Sequence, residues 1–155
     1  MAFENAKNYL ANLGFADRIQ IFETSSATVD LAAKAVGTEP ARIAKSITFK
    51  VNDIPVMIVC AGDTKVSNSK FKAYFHTRAK MLSAEEVEQY IGYGVGGVCP
   101  FGIKPGVSVY LDISLQRFET IYPACGSANS AVKLNIAEVE AVSAFLEWID
   151  VCEIL

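Results

Sequence analysis

The chain has 155 residues, of which 52% are hydrophobic and 20% charged, and it carries a formal net charge of −3. This length and composition predict a single domain over residues 1–155 with a substantial buried core. The negative charge disfavours a protein that holds nucleic acid by long-range electrostatics alone, so any nucleic-acid contact should be local, and no DNA partner is expected. The longest apolar stretch, residues 54–61, is far shorter than the ~20 residues that span a bilayer, so we expect a cytoplasmic protein without membrane contact.

The first half of the chain predicts three helices and three strands. In chain order these are a helix over residues 3–13, a strand over 18–23, a helix over 29–36, strands over 45–51 and 54–61, and a helix over 67–75. Ser26 or Thr28 can cap the start of the second helix, and Gly37 can end it. The pair Asn52-Asp53 is typical of the tight turn of a hairpin.

The second half predicts two helices among four strands. In chain order these are a helix opened by a capping box at residues 83–86 and ending near Gly92, strands over 107–112, 120–124 and 132–134, a helix over 135–145, and a strand over 148–154. Helices and strands mix without strict alternation. This order favours an α/β fold in which helices surround a curved, barrel-like mixed sheet.

Residues 94–102 contain four glycines and Pro100 within an otherwise apolar stretch. Glycine lets backbone N–H groups approach a bound group closely, so this segment is suited to presenting main chain to a ligand. A tight loop between two strands explains the same composition. The spacing fits neither GxGxxG nor GxxxxGKS/T, which disfavours a nucleotide-phosphate loop. A second segment rich in small residues, 122–130, has the same two interpretations.

Side chains that could carry chemistry are few. His76 is the only histidine, which disfavours a Ser-His-Asp or Cys-His triad. The four cysteines form no CxxC pair, so no structural zinc site is expected. Cys60 and Cys152 fall in apolar strands and predict core thiols. Cys99 and Cys125 adjoin the glycine-containing loops and either line a pocket or fill the core.

Lys45 stands at the opening of a predicted strand, directly after a helical turn. A lysine in this position can direct its ammonium into a cleft and bind a phosphate or carboxylate. A lysine at a sheet edge whose stem covers apolar surface while its charge reaches solvent explains the same pattern.

Three segments taken together resemble a known family. They are Lys45-Ser46 at the opening of a strand, the loop from Gly92 to Gly102 with its GG-x-x-P-F-G core, and the strand that ends at Cys125-Gly126. The same order, with similar spacing, is found in the YbaK / EbsC family. Its members are free-standing relatives of the editing domain inserted in bacterial prolyl-tRNA synthetases, and the resemblance runs from Arg18 through Leu134.

The resemblance implies a trans-acting aminoacyl-tRNA deacylase, which hydrolyses the ester joining a wrong amino acid to the 3′ end of a tRNA, usually the tRNA for proline. It implies catalytic roles for Lys45 and Gly96. The residues it assigns to substrate binding are Phe22, Thr28, Ser46, Gly97, Pro100, Ala124, Cys125 and Gly126. It implies no metal or organic cofactor. The implied partners are the tRNA acceptor end and, transiently, prolyl-tRNA synthetase or an elongation factor.

The amino acid that is removed stays open at this point. Cysteine-directed members of the family carry Tyr at the position of Phe22 and Asp at the position of Ala131, so alanine, 2-aminobutyrate, serine and threonine stand beside cysteine as candidates. One methylene is worth only about 1–3 kcal/mol in an apolar pocket, which is why editing is needed. The alternative function is a non-catalytic binding module for an aminoacyl-adenosine-like or nucleotide ligand.

Overall fold

The computed structural model describes residues 2–155, which contain five α-helices and ten β-strands joined by loops and short 3-10 turns. The helices are α1 (Ala2–Asn12), α2 (Val29–Val36), α3 (Asn68–Phe75), α4 (Ala84–Tyr90) and α5 (Ile136–Val142). The strands are β1 (Ile19–Ile21), β2 (Ile43–Val51), β3 (Ile54–Ala61), β4 (Thr64–Val66), β5 (Ser108–Asp112), β6 (Thr120–Pro123), β7 (Ser130–Val132), β8 (Leu134–Asn135), β9 (Glu147–Ile149) and β10 (Cys152–Ile154). None of these helices is long and apolar enough to cross a membrane.

Six of the strands form one mixed sheet in the order β8-β6-β2-β3-β5-β9. The central hairpin of β2 and β3 is antiparallel, and β6, β5 and β9 add to it in parallel. Two short antiparallel pairs, β1 with β7 and β4 with β10, stand outside this sheet. The sheet curls into a half-barrel, so the expected α/β fold with a curved mixed sheet is confirmed.

The central strand β3 is buried on both faces, as its continuous apolar sequence indicates. One face presents Met57, Val59 and Ala61 to a core cluster that also contains buried residues of α1, α4 and α5. The other face presents Ile58 and Cys60 to a second cluster that includes Phe71 of α3. The helices therefore cover both sides of the sheet.

Local capping signals place the helix and turn boundaries. The Thr28 hydroxyl accepts a hydrogen bond from the Leu31 N–H at the start of α2, and Gly37 ends that helix with a left-handed φ of 86°. The capping box predicted at Ser83 forms with Glu86. Asn52 and Asp53 both adopt positive φ in the β2–β3 turn, so this predicted hairpin is also confirmed.

Two predicted strands are interrupted in the structure. The strand expected over 148–154 breaks between β9 and β10, because the buried Asp112 carboxylate accepts a hydrogen bond from the Val151 N–H (2.9 Å) and β10 leaves the sheet to pair with β4. The strand expected over 132–134 breaks at Lys133, whose N–H donates to the Arg18 carbonyl (3.1 Å). The short strand β4 was not predicted from the sequence.

One edge of β2 pairs with β3, and the other, outer edge is covered by two different segments with a gap between them. The candidate site lies at this gap. Strand β6 pairs with β2 only at Ile43 and Ala44. Further along, the Thr48 carbonyl accepts a hydrogen bond from Leu82 N–H (3.1 Å), and the Lys50 N–H donates to the Lys80 carbonyl (2.9 Å). Residues 45–47 lie between these two pairings, and the edge of β2 is open there.

Candidate functional site

A cavity of about 320 Å³ opens at this gap in the edge of β2. Its walls come from four places: the β1–α2 loop with the start of α2, strand β2, the segment from residue 81 into α4, and the two glycine-containing loops around residues 96 and 124. Most of its lining is small or apolar, including Ala32, Ile43, Leu82, Val87 and Val98. We refer to it below as the main cavity.

Lys45 lines the main cavity from the open stretch of β2. It pairs across the ladder with Cys60 of β3. Its ammonium donates a hydrogen bond to the main-chain carbonyl of Thr64, at the start of β4. A lysine ammonium has three N–H donors, so this bond leaves two without a partner in the described part of the chain.

Ser46 presents main-chain groups to the same opening. Alternate residues of a strand turn their N–H and C=O to the same edge, and Thr48 and Lys50 use theirs on the outer edge of β2. The N–H and C=O of Ser46 therefore also face outward. Within residues 2–155 neither of them has a main-chain partner, so both are available to a ligand.

Gly96 closes the cavity between two loops. Its φ is +90°, and a Cβ atom at this position would lie 3.0 Å from Ala27 Cβ and 3.2 Å from Ala128 Cβ. Only glycine fits this conformation and this spacing without displacing a neighbour. The Gly96 main chain consequently lies at the cavity wall, close to the residues that precede α2.

Gly97 and Gly126 join the two glycine-containing loops to each other. The Gly126 N–H donates to the Gly97 carbonyl (3.1 Å). A Cβ at Gly97 would lie 2.6 Å from Ser127 N, which is too close for any side chain. Neither residue lines the main cavity; their contact fixes the position of the loop that carries Gly96.

Two residues that line the main cavity carry a buried hydroxyl with no hydrogen-bond partner in the described part of the chain. They are Ser26, which is 7% exposed, and Ser46. The Ser130 hydroxyl, which also lies in the lining, is by contrast hydrogen-bonded to the Cys125 carbonyl (3.2 Å) and to Ser127 Oγ (2.6 Å). The Ser26 and Ser46 oxygens have almost no accessible surface, so neighbouring atoms cover them and they are not open to the cavity.

The structure brings together half of the predicted site residues. Those that line the main cavity are Lys45, Gly96, Thr28, Ser46 and Ala124. Those that lie outside its lining are Phe22, Gly97, Pro100, Cys125 and Gly126. No direct observation tests the functional roles of these ten residues, and the roles stay predictions.

The four cysteines are free and buried. Burial raises the pKa of the Cys99 thiol to about 12, and it raises that of Cys125 to about 12 as well. Thiols with such pKa values carry almost no thiolate at neutral pH and are poor nucleophiles. Of the two roles left open from the sequence, the structure places Cys99 and Cys125 in the core.

The segment leading into α4 is a part of the site that the sequence did not indicate. Met81, Leu82, Ala84 and Val87 line the main cavity. The Lys50 ammonium and the Glu86 carboxylate, 2.7 Å apart, join this helix to β2. The spacing of Leu82 and Val87 predicts that this segment turns an apolar face toward the core. The local sequence does not indicate which strand that face packs against.

The fold and the cavity define an α/β domain with a cavity suited to a ligand, since its lining combines one lysine, open main-chain groups and small apolar walls. Among the residues that line the cavity, none is Asp, Glu, His or Cys. In residues 2–155 no cluster of three or more His, Cys, Asp or Glu side chains could hold a metal ion.

Comparison with known families identifies this domain. The model of the aminoacyl-tRNA editing domain matches residues 23–142, and the chain belongs to this family. The resemblance to free-standing relatives of the prolyl-tRNA synthetase editing domain is thereby confirmed. Membership supports a role in tRNA editing, with aminoacyl-tRNA as the molecule that the protein contacts.

Similar proteins occur both as short chains and within longer ones. The uncharacterized protein YwhH of Bacillus subtilis is 44% identical over 154 residues, which cover 99% of this chain and 98% of YwhH. The proline–tRNA ligase of Limosilactobacillus fermentum is 33% identical over 95 residues, which cover 57% of this chain and 17% of the ligase. The chain thus matches nearly all of YwhH and less than a fifth of that ligase.

A solved structure of a proposed trans-editing enzyme for prolyl tRNA synthetase superposes with a TM-score of 0.88. The two proteins are 24% identical, and the superposition covers 98% of this chain and 97% of the other. At this identity the similarity establishes the fold, and it agrees with the curved mixed sheet described above.

Proposed function

We propose that this protein hydrolyses, in trans, the ester that joins a small, wrongly attached amino acid to the 3′ end of tRNA, with the tRNA for proline as its substrate. The observation that carries the proposal is the main cavity, where Lys45, the Gly96 main chain and the open edge of Ser46 line one space. Such a role in translation would place the protein in the cytoplasm.

The relatives support the choice of tRNA. Similarity to part of a proline–tRNA ligase and to a proposed trans-editing enzyme for prolyl tRNA synthetase links the domain to prolyl-tRNA. The net charge of −3 fits a protein that touches only the acceptor end. We infer that prolyl-tRNA synthetase or an elongation factor presents the tRNA in a transient complex.

The dimensions of the cavity suit a small aminoacyl group. A volume of about 320 Å³ lies at the small end of ligand-binding cavities, which span roughly 300–1,000 Å³. Its apolar walls can enclose a short side chain, while the terminal ribose and its phosphate remain toward the opening. The two free donors of Lys45 suit the phosphate or the ester oxygen of such a ligand.

Hydrolysis in this cavity needs no protein nucleophile. A water oxygen adds to the ester carbonyl carbon, and the carbonyl electron pair moves onto its oxygen. Collapse of that oxyanion expels the 3′ oxygen of the ribose, which takes up the proton released by the water. Main-chain N–H groups and the Lys45 ammonium stabilise the oxyanion, and the terminal ribose hydroxyl relays the proton.

The second candidate function is a binding module that holds an aminoacyl-adenosine-like or nucleotide ligand without turnover. The observation that favours it is the lining itself, which contains no carboxylate or imidazole to act as a general base. Both candidates predict that the protein binds the ligand, and only the deacylase predicts that the ester is hydrolysed faster than it is spontaneously.

The test is a deacylation panel. The protein is incubated with the tRNA for proline charged with cysteine, alanine, 2-aminobutyrate, serine or threonine, and with correctly charged prolyl-tRNA as the control. We expect ester hydrolysis of at least one mischarged tRNA well above the spontaneous rate, and none of prolyl-tRNA. Binding without hydrolysis of any of them would overturn the proposal in favour of the binding module.

A further inference from the structure

The Lys45 ammonium is held by a turn that lies outside the lining of the main cavity. It donates to the carbonyl of Thr64, the first residue of β4, and the turn that leads from β3 to this residue covers residues 61–64. A lysine ammonium stands on a flexible stem of four carbons, so the side chain alone fixes its position poorly. The position of the ammonium therefore depends on the position of the Thr64 carbonyl.

The turn is ordered from within and packs closely against neighbouring parts of the chain. The hydroxyl of Thr64, a residue that is 1% exposed, donates to the Ala61 carbonyl (2.8 Å). A Cβ at Gly62 would overlap the Pro40 carbonyl oxygen and would lie 2.7 Å from Val29 Cγ1. Gly62 therefore lets the turn lie directly against α2 and the segment that precedes β2.

The segment that follows β5 holds the other side of the turn. The Ala61 N–H donates to Ser114 Oγ (3.1 Å). Arg117 donates twice to the Asp63 carboxylate, from Nη2 to Oδ1 (2.6 Å) and from Nη1 to Oδ2 (3.0 Å). Two parallel bonds of this kind fix the direction of an ion pair as well as its length. Arg117 Nε also donates to the Ser114 carbonyl (2.9 Å), so the guanidinium is tied to its own segment and clamps the turn to it.

Asp63 and Arg117 act at a distance from the main cavity, since neither residue lines it. The hydrogen bonds from Arg117 lower the pKa of the Asp63 carboxyl, and the positive charge of Lys45 acts in the same direction. The side chains of Arg117 and Asp63 are 33% and 30% exposed. Ion pairs that open to solvent in this way contribute little to the free energy of unfolding, so we expect variants of the pair to fold.

We propose that Asp63 and Arg117 are positioning residues for Lys45: their ion pair fixes the turn, and the Thr64 carbonyl at its end holds the ammonium beside the main cavity. This inference rests on the proposed function, since it names residues that act on hydrolysis through Lys45. A shift of about 1 Å in a group that takes part in a reaction can cost about a hundredfold in rate, even when the substitution lies far from the chemistry. An ion pair that touches no part of the ligand can thus govern the rate.

Two other roles of the pair predict different results. A purely structural role would slow hydrolysis to the same extent with and without Lys45. A purely electrostatic role would follow the sign of the lost charge, so removal of Arg117 and removal of Asp63 would have opposite effects on the rate. Positioning predicts that both removals slow hydrolysis and that neither has an effect once Lys45 is gone.

The first experiment measures single-turnover hydrolysis, at saturating protein, of the mischarged tRNA that the deacylation panel identifies. We expect Arg117→Ala and Asp63→Ala each to slow the reaction about ten- to a hundredfold. Added to Lys45→Ala, either substitution should change the residual rate by less than about twofold. Arg18→Ala is the matched control and should keep the wild-type rate. Arg18 also makes a two-point ion pair, with Glu138 (2.8 Å for each bond), and its bonds involve neither the cavity lining nor the turn.

A second experiment detects the release of the Lys45 ammonium without tRNA. Mass spectrometry follows the acetylation of lysines by N-hydroxysuccinimidyl acetate. Lys104 is the internal reference, because its ammonium also donates to a main-chain carbonyl, that of Gln89 (3.0 Å). An ammonium that is released from its carbonyl loses a bond that favours the charged, unreactive form. We expect Lys45 to be acetylated severalfold faster in both single variants of the ion pair and at the wild-type rate in the control variant.

Hydrolysis at the wild-type rate in Arg117→Ala or Asp63→Ala, effects of opposite sign, or an equal loss with and without Lys45 would overturn the inference while the deacylase proposal stands. If the wild type hydrolyses no tRNA, the deacylase proposal fails and acetylation decides the inference alone. Faster acetylation of Lys45 in both variants would support positioning, and unchanged or opposite rates would overturn it. Thermal melting checks that each variant is folded, and Arg117→Gln or Asp63→Asn, which keep more of the side-chain volume, replaces a variant that is not.

Discussion

The Gly126 N–H donates a hydrogen bond to the Gly97 carbonyl at 3.1 Å, and this contact joins two loops that are almost thirty residues apart in the chain. The space between the loops admits no Cβ at Gly97. The neighbouring Gly96, which faces the main cavity, is held in place by this junction. Of these two adjacent glycines, Gly97 packs against the second loop and Gly96 forms part of the cavity wall.

Replacement of Gly97 by alanine should destabilise the protein. The new Cβ would lie 2.6 Å from Ser127 N and 2.7 Å from the Gly126 carbonyl carbon, and both are main-chain atoms that cannot rotate away. Overpacking of this kind costs about 1–3 kcal/mol. Chemical denaturation of Gly97→Ala against the wild type measures this loss as a lower free energy of unfolding.

Gly94→Ala is the matched control in the same loop. A Cβ at Gly94 meets nothing closer than Glu88 Oε1, at 3.6 Å, and the φ of Gly94 is not positive. We expect a change within about 0.5 kcal/mol there. A Gly97→Ala variant as stable as Gly94→Ala would show that the two loops are not packed against each other as described.

The ion pair between Lys50 and Glu86 should make stability depend on pH in the acid range. The hydrogen bond from Lys50 and the N–H of Ser83 lower the pKa of Glu86 from 4.5 to about 2. Because the pKa is lower in the folded state than in the unfolded state, the contribution of the carboxylate is complete above about pH 4.5. It is then lost as the pH falls toward 2.

Denaturation of wild type and Glu86→Gln across this range measures the effect. The wild type should be the more stable at pH 7, and the difference should shrink steadily between pH 4.5 and pH 2. A difference that stays constant down to pH 2 would mean that the ion pair does not set the pKa of Glu86. The ion pair also bears on the cavity, because Ala84 and Val87 of the same helix line it.

The sequence predicts the parts of this fold that depend on near neighbours. Thr28 and Gly37 delimit α2 because a capping hydroxyl and a left-handed glycine act within a few residues. Asn52-Asp53 makes a hairpin for the same reason. These signals are local, and the structure confirms them.

Features set by distant parts of the chain could not be predicted in this way. The break before β10 depends on Asp112, nearly forty residues earlier, capturing the Val151 N–H. Within the site, the family resemblance assigns roles to Lys45, Gly96 and Gly97. The sequence does not indicate that Gly97 holds a loop in place while Gly96 faces the cavity. The unpaired hydroxyls of Ser26 and Ser46 become apparent only when the walls around them are known.

The role of Lys45 carries the account of hydrolysis. Removal of a group that stabilises developing negative charge typically slows an enzyme by about a hundredfold or more. Lys65, on β4 and outside the main cavity, offers a matched control, since its side chain is 60% exposed. Substitution of Lys65 should change only a surface ion pair with Glu153.

The most direct measurement is single-turnover deacylation of mischarged tRNA for proline by the wild type, Lys45→Ala and Lys65→Ala. We predict that the wild type and Lys65→Ala hydrolyse the ester at the same rate and that Lys45→Ala is slower by about a hundredfold or more. Hydrolysis by Lys45→Ala at the wild-type rate, with the variant folded, would contradict the assignment of the main cavity as the site of the reaction.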